Sequence, residues 1–96
     1  MRELFWQRFD LGELCGENTI KGIAEANYDE YKDDIEGLTM LVMVINHKSW
    51  NHHDIGNDKL CSLYADLYYK YYEKAIDYLE ENNREEDLRY FIKTLD

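Results

Sequence analysis

Glu36-Gly37-Leu38-Thr39-Met40-Leu41-Val42-Met43-Val44-Ile45-Asn46-His47-Lys48-Ser49-Trp50-Asn51-His52-His53 is the segment on which the architecture turns. Leu38, Leu41, Val42, Ile45 and His52 fall on one stripe. Met40, Met43, Val44, His47 and Trp50 fall on a neighbouring one. Both stripes repeat at three and four residues, the spacing of a helix. From Leu38 to Ile45 the segment is apolar nearly all round, apart from Thr39, which predicts the central helix of a bundle. Val42, Val44 and Ile45 would also suit a strand, and the length of the segment decides for helix.

Asp54-Ile55-Gly56-Asn57 ends this helix. Gly56 can take the left-handed conformation, and Asn57 or Asp58 can cap the next helix. That helix, about 58–82, is the longest. Leu60, Leu63, Tyr64, Leu67, Tyr71 and Tyr78 form one stripe, and Cys61, Ala65, Tyr68, Tyr72, Ile76 and Leu79 an adjoining one. Together they make a face wide enough to pack on two partners. Asn83 followed by Glu86 resembles a capping box for a last helix, about 84–94, that buries Leu88, Phe91 and Ile92. These three helices are expected to pack antiparallel, burying Leu41, Val42, Ile45, Leu63, Leu67, Ile76 and Phe91. In the N-terminal third, Leu4, Phe5, Trp6, Phe9, Leu11, Leu14 and Cys15 form a dense apolar set punctuated by Gly12 and Gly16. They read as a short helix or as an extended segment laid over the bundle. Asn18-Thr19 is then expected to cap a helix from Ile20 to about Tyr31.

The chain of 96 residues fits one all-α domain, residues 1–96, built from three to five helices. Proline is absent and only five residues are glycine, which favours long helices with short connections over a β fold. Cys15 and Cys61 make no disulfide framework and read as small buried hydrophobes. The opening residues form no apolar stretch of signal-peptide length, and the run Leu41–Ile45 is too short to span a bilayer. The expected place is therefore the cytoplasm, with no membrane contact.

Charge is the other strong feature. Twenty-one Asp and Glu oppose eleven Lys and Arg, for a formal net charge of −10. Like charge at this density weakens a compact fold by self-repulsion, so the negative surface calls for a use. Glu25, Asp29, Glu30, Asp33, Asp34 and Glu36 cluster within twelve residues, opposed there by Lys32 alone. Asp66, Glu73, Asp77, Glu80 and Glu81 fall near one stripe of the long helix, interrupted by Lys70 and Lys74. Carboxylates three or four residues apart on a helix stand about 5–6 Å apart, and phosphates along a nucleic-acid strand have a similar spacing. Rows of this kind can enter a basic groove through the same Lys and Arg that would hold a phosphate backbone. A solvated helix face is the plainer reading of any single row. Tyr64, Tyr68, Tyr69, Tyr71, Tyr72 and Tyr78 span too much of one helix for all to be buried, and outward ones such as Tyr69 and Tyr72 suit a protein interface.

Other chemistries find little support. His47, His52 and His53 lack zinc-site spacing and suit a helix C-terminus instead. No Gly-rich phosphate loop is present, and no Ser or Thr stands in a triad-like arrangement. The expectation is a protein without catalytic residues, metal or cofactor.

Two resemblances add to this. His47-Lys48-Ser49-Trp50, Gly56-Asn57, Leu63-Tyr64-Ala65-Asp66-Leu67-Tyr68-Tyr69 and Leu88 to Asp96 resemble a type of small phage-encoded protein, over about half the chain. The acidic, tyrosine-rich, helical make-up is similar in style to the DNA-mimic anti-restriction proteins and to several acidic anti-CRISPR proteins. No motif aligns with either group, so no functional residue carries over. The resemblance implies a stoichiometric inhibitor, acting in a bacterial host, that occupies the basic groove of a nucleic-acid-handling protein. Direct nucleic-acid binding is not expected, because the phosphates would be repelled. The alternative is an adaptor that binds a protein partner or a second copy of itself through the tyrosine-rich face.

Overall fold

Asp34 opens the central helix. Its backbone is extended, and its side chain accepts a hydrogen bond from the Gly37 amide at 3.4 Å, satisfying one of the free donors at the helix start. The computed structural model describes all 96 residues as five helices and no strand: α1 (Arg2–Cys15), α2 (Glu17–Tyr31), α3 (Ile35–Asp54), α4 (Asp58–Glu81) and α5 (Glu85–Leu95). α3 packs against all four others, as its all-round apolar run predicts. Leu38, Leu41, Val42, Val44 and Ile45 are fully buried on it. No helix is long and apolar enough to cross a membrane.

The connections are short and turn the chain sharply. Gly56 (φ 79°) takes the left-handed conformation after α3, and the Asn57 side chain then accepts from the Leu60 amide at 3.2 Å. α3 and α4 lie side by side as a hairpin, tied by the Ser49 hydroxyl donating to the Cys61 carbonyl at 2.9 Å. α1 and α2 form a second hairpin about Gly16 (φ 114°), with Gly12 closing against Ile20 and Ile23, and Phe5 against Tyr31. α4, at roughly 1.5 Å per residue, sets the long dimension of 39 Å. Seventeen apolar residues from all five helices make a single core.

Several expectations are corrected. The N-terminal third is two helices, with no extended segment. α2 starts at Glu17 with Gly16 at its N-cap, so Asn18 and Thr19 lie inside its first turn and cap nothing. The Asn83–Glu86 capping box does not form. Asn83 instead takes a positive φ of 56° and ends α4, and Arg84 stands at the start of α5, paired with Asp87 at 2.8 Å. Cys15 is exposed, because α1 buries the face of Phe5, Phe9 and Gly12 and ends where the cysteine stands. Cys61 is half-buried against Ser49. Of the predicted core, Leu41, Val42, Ile45, Leu63, Leu67 and Phe91 are buried, whereas Ile76 flanks the core half-exposed.

Candidate functional site

The face that α4 turns towards the core is filled by Leu63, Tyr64, Leu67, Tyr71, Ala75 and Leu79. The rest of the helix is divided between two seams and an outward ridge. On one side α4 meets α2. The Tyr28 and Tyr71 rings pack there with centroids 5.5 Å apart, the Tyr28 hydroxyl donates to the Lys74 carbonyl at 3.3 Å, and the Tyr78 hydroxyl donates to the Asp33 carboxylate. Burial, followed by the nearby Tyr78, Asp29, Asp33 and Asp77, pushes the Tyr28 hydroxyl up to about 12. Burial, then Glu25 and Asp29, pushes Tyr71 up to about 12 as well. The fold thus brings Glu25 and Asp29 of α2, Asp33 of the turn that follows it and Asp77 of α4 around one line of tyrosines. Lysines on this seam sit over rings. Lys74 lies 4.8 Å from the centre of Tyr28 and 5.8 Å from that of Tyr71, Lys70 is 5.4 Å from Tyr71, and Lys32 is 5.3 Å from Tyr78.

On the other side α4 meets α5. Tyr68, Tyr69, Tyr72 and Ile76 line an open groove of about 610 Å³ whose polar wall is Glu73, Asp77 and Asp96. Tyr69 is 67% exposed, while Tyr68 and Tyr72 are half-buried, Tyr72 against Phe91. The Tyr72 hydroxyl is 3.4 Å from Asp96 Oδ1. Burial, and then Asp96, raises the Tyr72 pKa.

The other predicted site residues are dispersed. Glu30 lies on the far side of α2, 3.4 Å from Arg8. Asp34 is occupied in capping α3, and Glu36 stands in that helix's first turn. Asp66 borders a depression shared with Lys21, Lys59 and Lys70, where the acidic row is interrupted. Glu80 stands beyond the groove, beside Asn83 and Glu85. Tyr68, expected in the tyrosine-rich set, and Ile76, expected in the core, also line the groove, as does Asp96, which no periodicity connects to α4.

A second constellation was missed altogether. Lys48 is buried on α3, with its ammonium 4.2 Å from the centre of the Trp6 ring and paired with Asp10 and with Glu13 Oε2, the latter at 3.0 Å. Glu13 also accepts from the Tyr64 hydroxyl at 2.6 Å. His52 Nε2 lies 3.1 Å from Glu13 Oε1. The His52 ring stacks on Tyr64 at 5.6 Å. Burial alone would raise the Glu13 pKa; Tyr64, Lys48 and His52 together outweigh it and lower the value. None of the surface grooves is lined by Glu13, Lys48 or His52, and the cluster joins α1, α3 and α4. His47 and His53 are exposed, while His52 is turned inward, so the three histidines do not converge.

Comparison with protein-family models, with curated proteins and with solved structures brought out no match.

Proposed function

We propose that the chain is an inhibitor-like binding protein whose acidic, tyrosine-studded α2–α4 face occupies the basic groove of a nucleic-acid-handling protein in a bacterial cell, as an anti-restriction or anti-CRISPR protein does. One observation carries the reading. Six carboxylates, Asp10, Glu13, Glu17, Glu30, Asp33 and Asp87, stand within ion-pair distance of a cation, and the other fifteen of the 21 do not. Glu25 and Asp29 on α2, and Glu73 and Asp77 on α4, are exposed and free of ion pairs, on either side of the tyrosine seam. A basic groove supplies the missing cations and gains aromatic contact from the exposed tyrosine.

The test reverses charge where no structural contact is lost. Glu25→Lys with Asp29→Lys forms one variant, and Glu73→Lys with Asp77→Lys another. Proteins captured from a bacterial lysate by the parent are challenged with duplex DNA and with rising salt. The reading expects DNA and salt to release them, and expects each variant to weaken capture by several kcal/mol in total, since each substituted pair turns attraction into repulsion against a desolvated cation. Capture that resists DNA and is equal in both variants refutes it.

Leu11 (65% exposed) and Leu14 (84% exposed) favour a second reading, self-association. Leu11 lines an open groove with Thr19, Gly22, Ile23 and Ala26, rimmed by Arg8, Asn27 and Glu30. Light scattering of the parent and of Leu11→Ser with Leu14→Ser separates the two readings, since a dimer on this face disappears in the variant and barely responds to salt.

A further inference from the structure

We infer that the groove between α4 and α5 is a receptor for the guanidinium of an arginine side chain presented by the basic partner. This rests on the function proposed above and names the chemistry of one contact within it. A contrast inside the molecule points to it. Where α4 presents tyrosines next to carboxylates on its α2 side, the chain's own lysines lie over the rings: Lys70 over Tyr71, Lys74 over Tyr28 and Tyr71, and Lys32 over Tyr78. Tyrosine faces with negative charge around them draw a cation. The same ingredients stand on the α5 side. Tyr68, Tyr69 and Tyr72 form a connected set, with centroids 5.6 Å apart for Tyr68–Tyr69 and 5.7 Å apart for Tyr68–Tyr72. Glu73, Asp77 and Asp96 border them. Yet no cation of this chain lies over any of the three rings, and none of the three carboxylates has an ion-pair partner. The groove repeats a pattern that the fold elsewhere satisfies with its own lysines and here leaves to an incoming group.

Charge and shape choose the occupant. The wall is acidic, so an anion or a nucleic acid is repelled. The rings are tilted to one another and not parallel (63° and 47°), leaving an open, wedge-like surface. A guanidinium is flat, sheds water more readily than an ammonium, stacks on an aromatic ring and forks its N–H groups to two carboxylates at once. Asp77 stands on α4 and Asp96 just past the end of α5, so a forked donor bridging them also fastens the end of α5 to α4. A lysine would gain the charge without the stacking or the fork.

The probe is a capped Gly-Arg-Gly peptide, titrated into protein carrying ¹³C-labelled tyrosine and followed by NMR. Matched peptides carry lysine, or citrulline, which keeps the shape of arginine without its charge. Saturable shifts are expected at Tyr68, Tyr69 and Tyr72, weaker with lysine and absent with citrulline, while Tyr28 and Tyr71 stay still. Tyr69→Ala should weaken binding by roughly two- to fivefold, as the loss of one ring face. Asp77→Asn with Asp96→Asn should weaken it further. Glu25→Lys with Asp29→Lys should leave it within about twofold, because those charges serve the opposite seam of α4 and salt screens them from the groove. Equal, non-saturating shifts at all tyrosines, or equal response to arginine and citrulline, overturn the inference. Its failure is distinct from that of the function. A partner released by DNA and by both charge reversals, with a groove indifferent to the arginine peptide, removes this contact and leaves the mimic standing. A groove that binds arginine in a protein whose partner ignores DNA removes the mimic and leaves the contact.

Discussion

Truncating Glu13 to Ala tests whether the buried ionic cluster secures the bundle. Lys48 is 1% exposed, and Glu13 is one of its two carboxylate partners. The other, Asp10, has a side chain 53% exposed and so is a partner half in water. Breaking a buried pair by removing one member costs about 3–5 kcal/mol, since the survivor is left without a counter-charge. Truncation also strips the Tyr64 hydroxyl of its acceptor at 2.6 Å, about 1–3 kcal/mol for a buried polar group left unsatisfied. The two losses share one site and do not add. Asp10 keeps part of the charge balance, so a net loss of about 3 kcal/mol is expected, a large share of the ~5–15 kcal/mol that holds an ordinary domain together. Glu13→Gln retains an acceptor for Tyr64 and Lys48 and should lose only about 1–2 kcal/mol. Adding Lys48→Met to Glu13→Gln removes the ion together with its partner and should restore stability to within about 1 kcal/mol of the parent. Urea unfolding followed by helical circular dichroism reads each value, with an unchanged slope as the sign that the same surface unfolds. The pH dependence has a definite sign. The Glu13 pKa is lowered on folding below its ordinary 4.5, so its contribution is complete above that value and disappears as the pH falls through the lower, folded one. The parent should lose an increment of stability in acid that Glu13→Gln does not. A loss below about 0.5 kcal/mol for Glu13→Ala refutes the reasoning, because it means that Lys48 reaches water on its own.

Thr39 is 2% exposed and its hydroxyl has no hydrogen-bond partner; Thr39→Val should therefore raise stability by up to about 1 kcal/mol, and a lower urea midpoint would show that the hydroxyl is satisfied. With fifteen carboxylates outside any ion pair, sodium chloride should raise the melting temperature between low salt and physiological strength, as screening relieves self-repulsion; a melting temperature that falls with salt would mean that attractive pairs dominate the surface.

The three C-terminal helices were legible because their apolar spacing is regular and their breaks carry turn chemistry. Gly56 and Asn57 do in the structure what those residue types do in general. The N-terminal pair was obscured by glycine and by leucine. Gly12 reads as a break but is a packing contact, since a Cβ there would stand 2.6 Å from Ile23 Cδ1, and the glycine lets α1 and α2 close up. Leu11 and Leu14 look like core and face outward, which blurs the stripe of Phe5 and Phe9. Asn83 misled in the opposite way, because its tolerance of positive φ made it the end of α4 and not the start of α5. The buried cluster left a trace that periodicity could have caught: Lys48 stands between Ile45 and His52 at helical spacing on the buried stripe, where a lysine demands a carboxylate. Which carboxylate answers it depends on how α1 crosses α3, and no local pattern carries that. Glu73 and Asp77 of the acidic row on α4 were likewise readable, whereas the dispersal of Asp66 and Glu80, the placement of lysines on rings and that of Asp96 in the groove follow from packing alone.

The placement of acids within the helices sharpens the case for a use beyond folding. Glu3, Glu17, Glu36, Asp58, Glu85, Glu86 and Asp87 stand in first turns, where negative charge is favoured by the helix dipole. Folding accounts for them. The end of α2 is met by cations, with Lys32 at its C-cap and the Arg84 guanidinium on the carbonyls beyond it; the last turn of α4 contains no basic residue and holds Glu80 and Glu81 against a dipole that prefers cations, at about 0.3–1 kcal/mol each. The cations meanwhile serve the interior and the seams: Lys48 inside, Arg84 hydrogen-bonded to the Lys32 and Asp33 carbonyls at 3.0 and 3.4 Å, and three lysines on tyrosine rings. A bundle selected for stability alone would place a lysine in the last turn of α4. Glu80 and Glu81 thus oppose the local preference of their own helix, and residues that do so point to a demand from outside that helix.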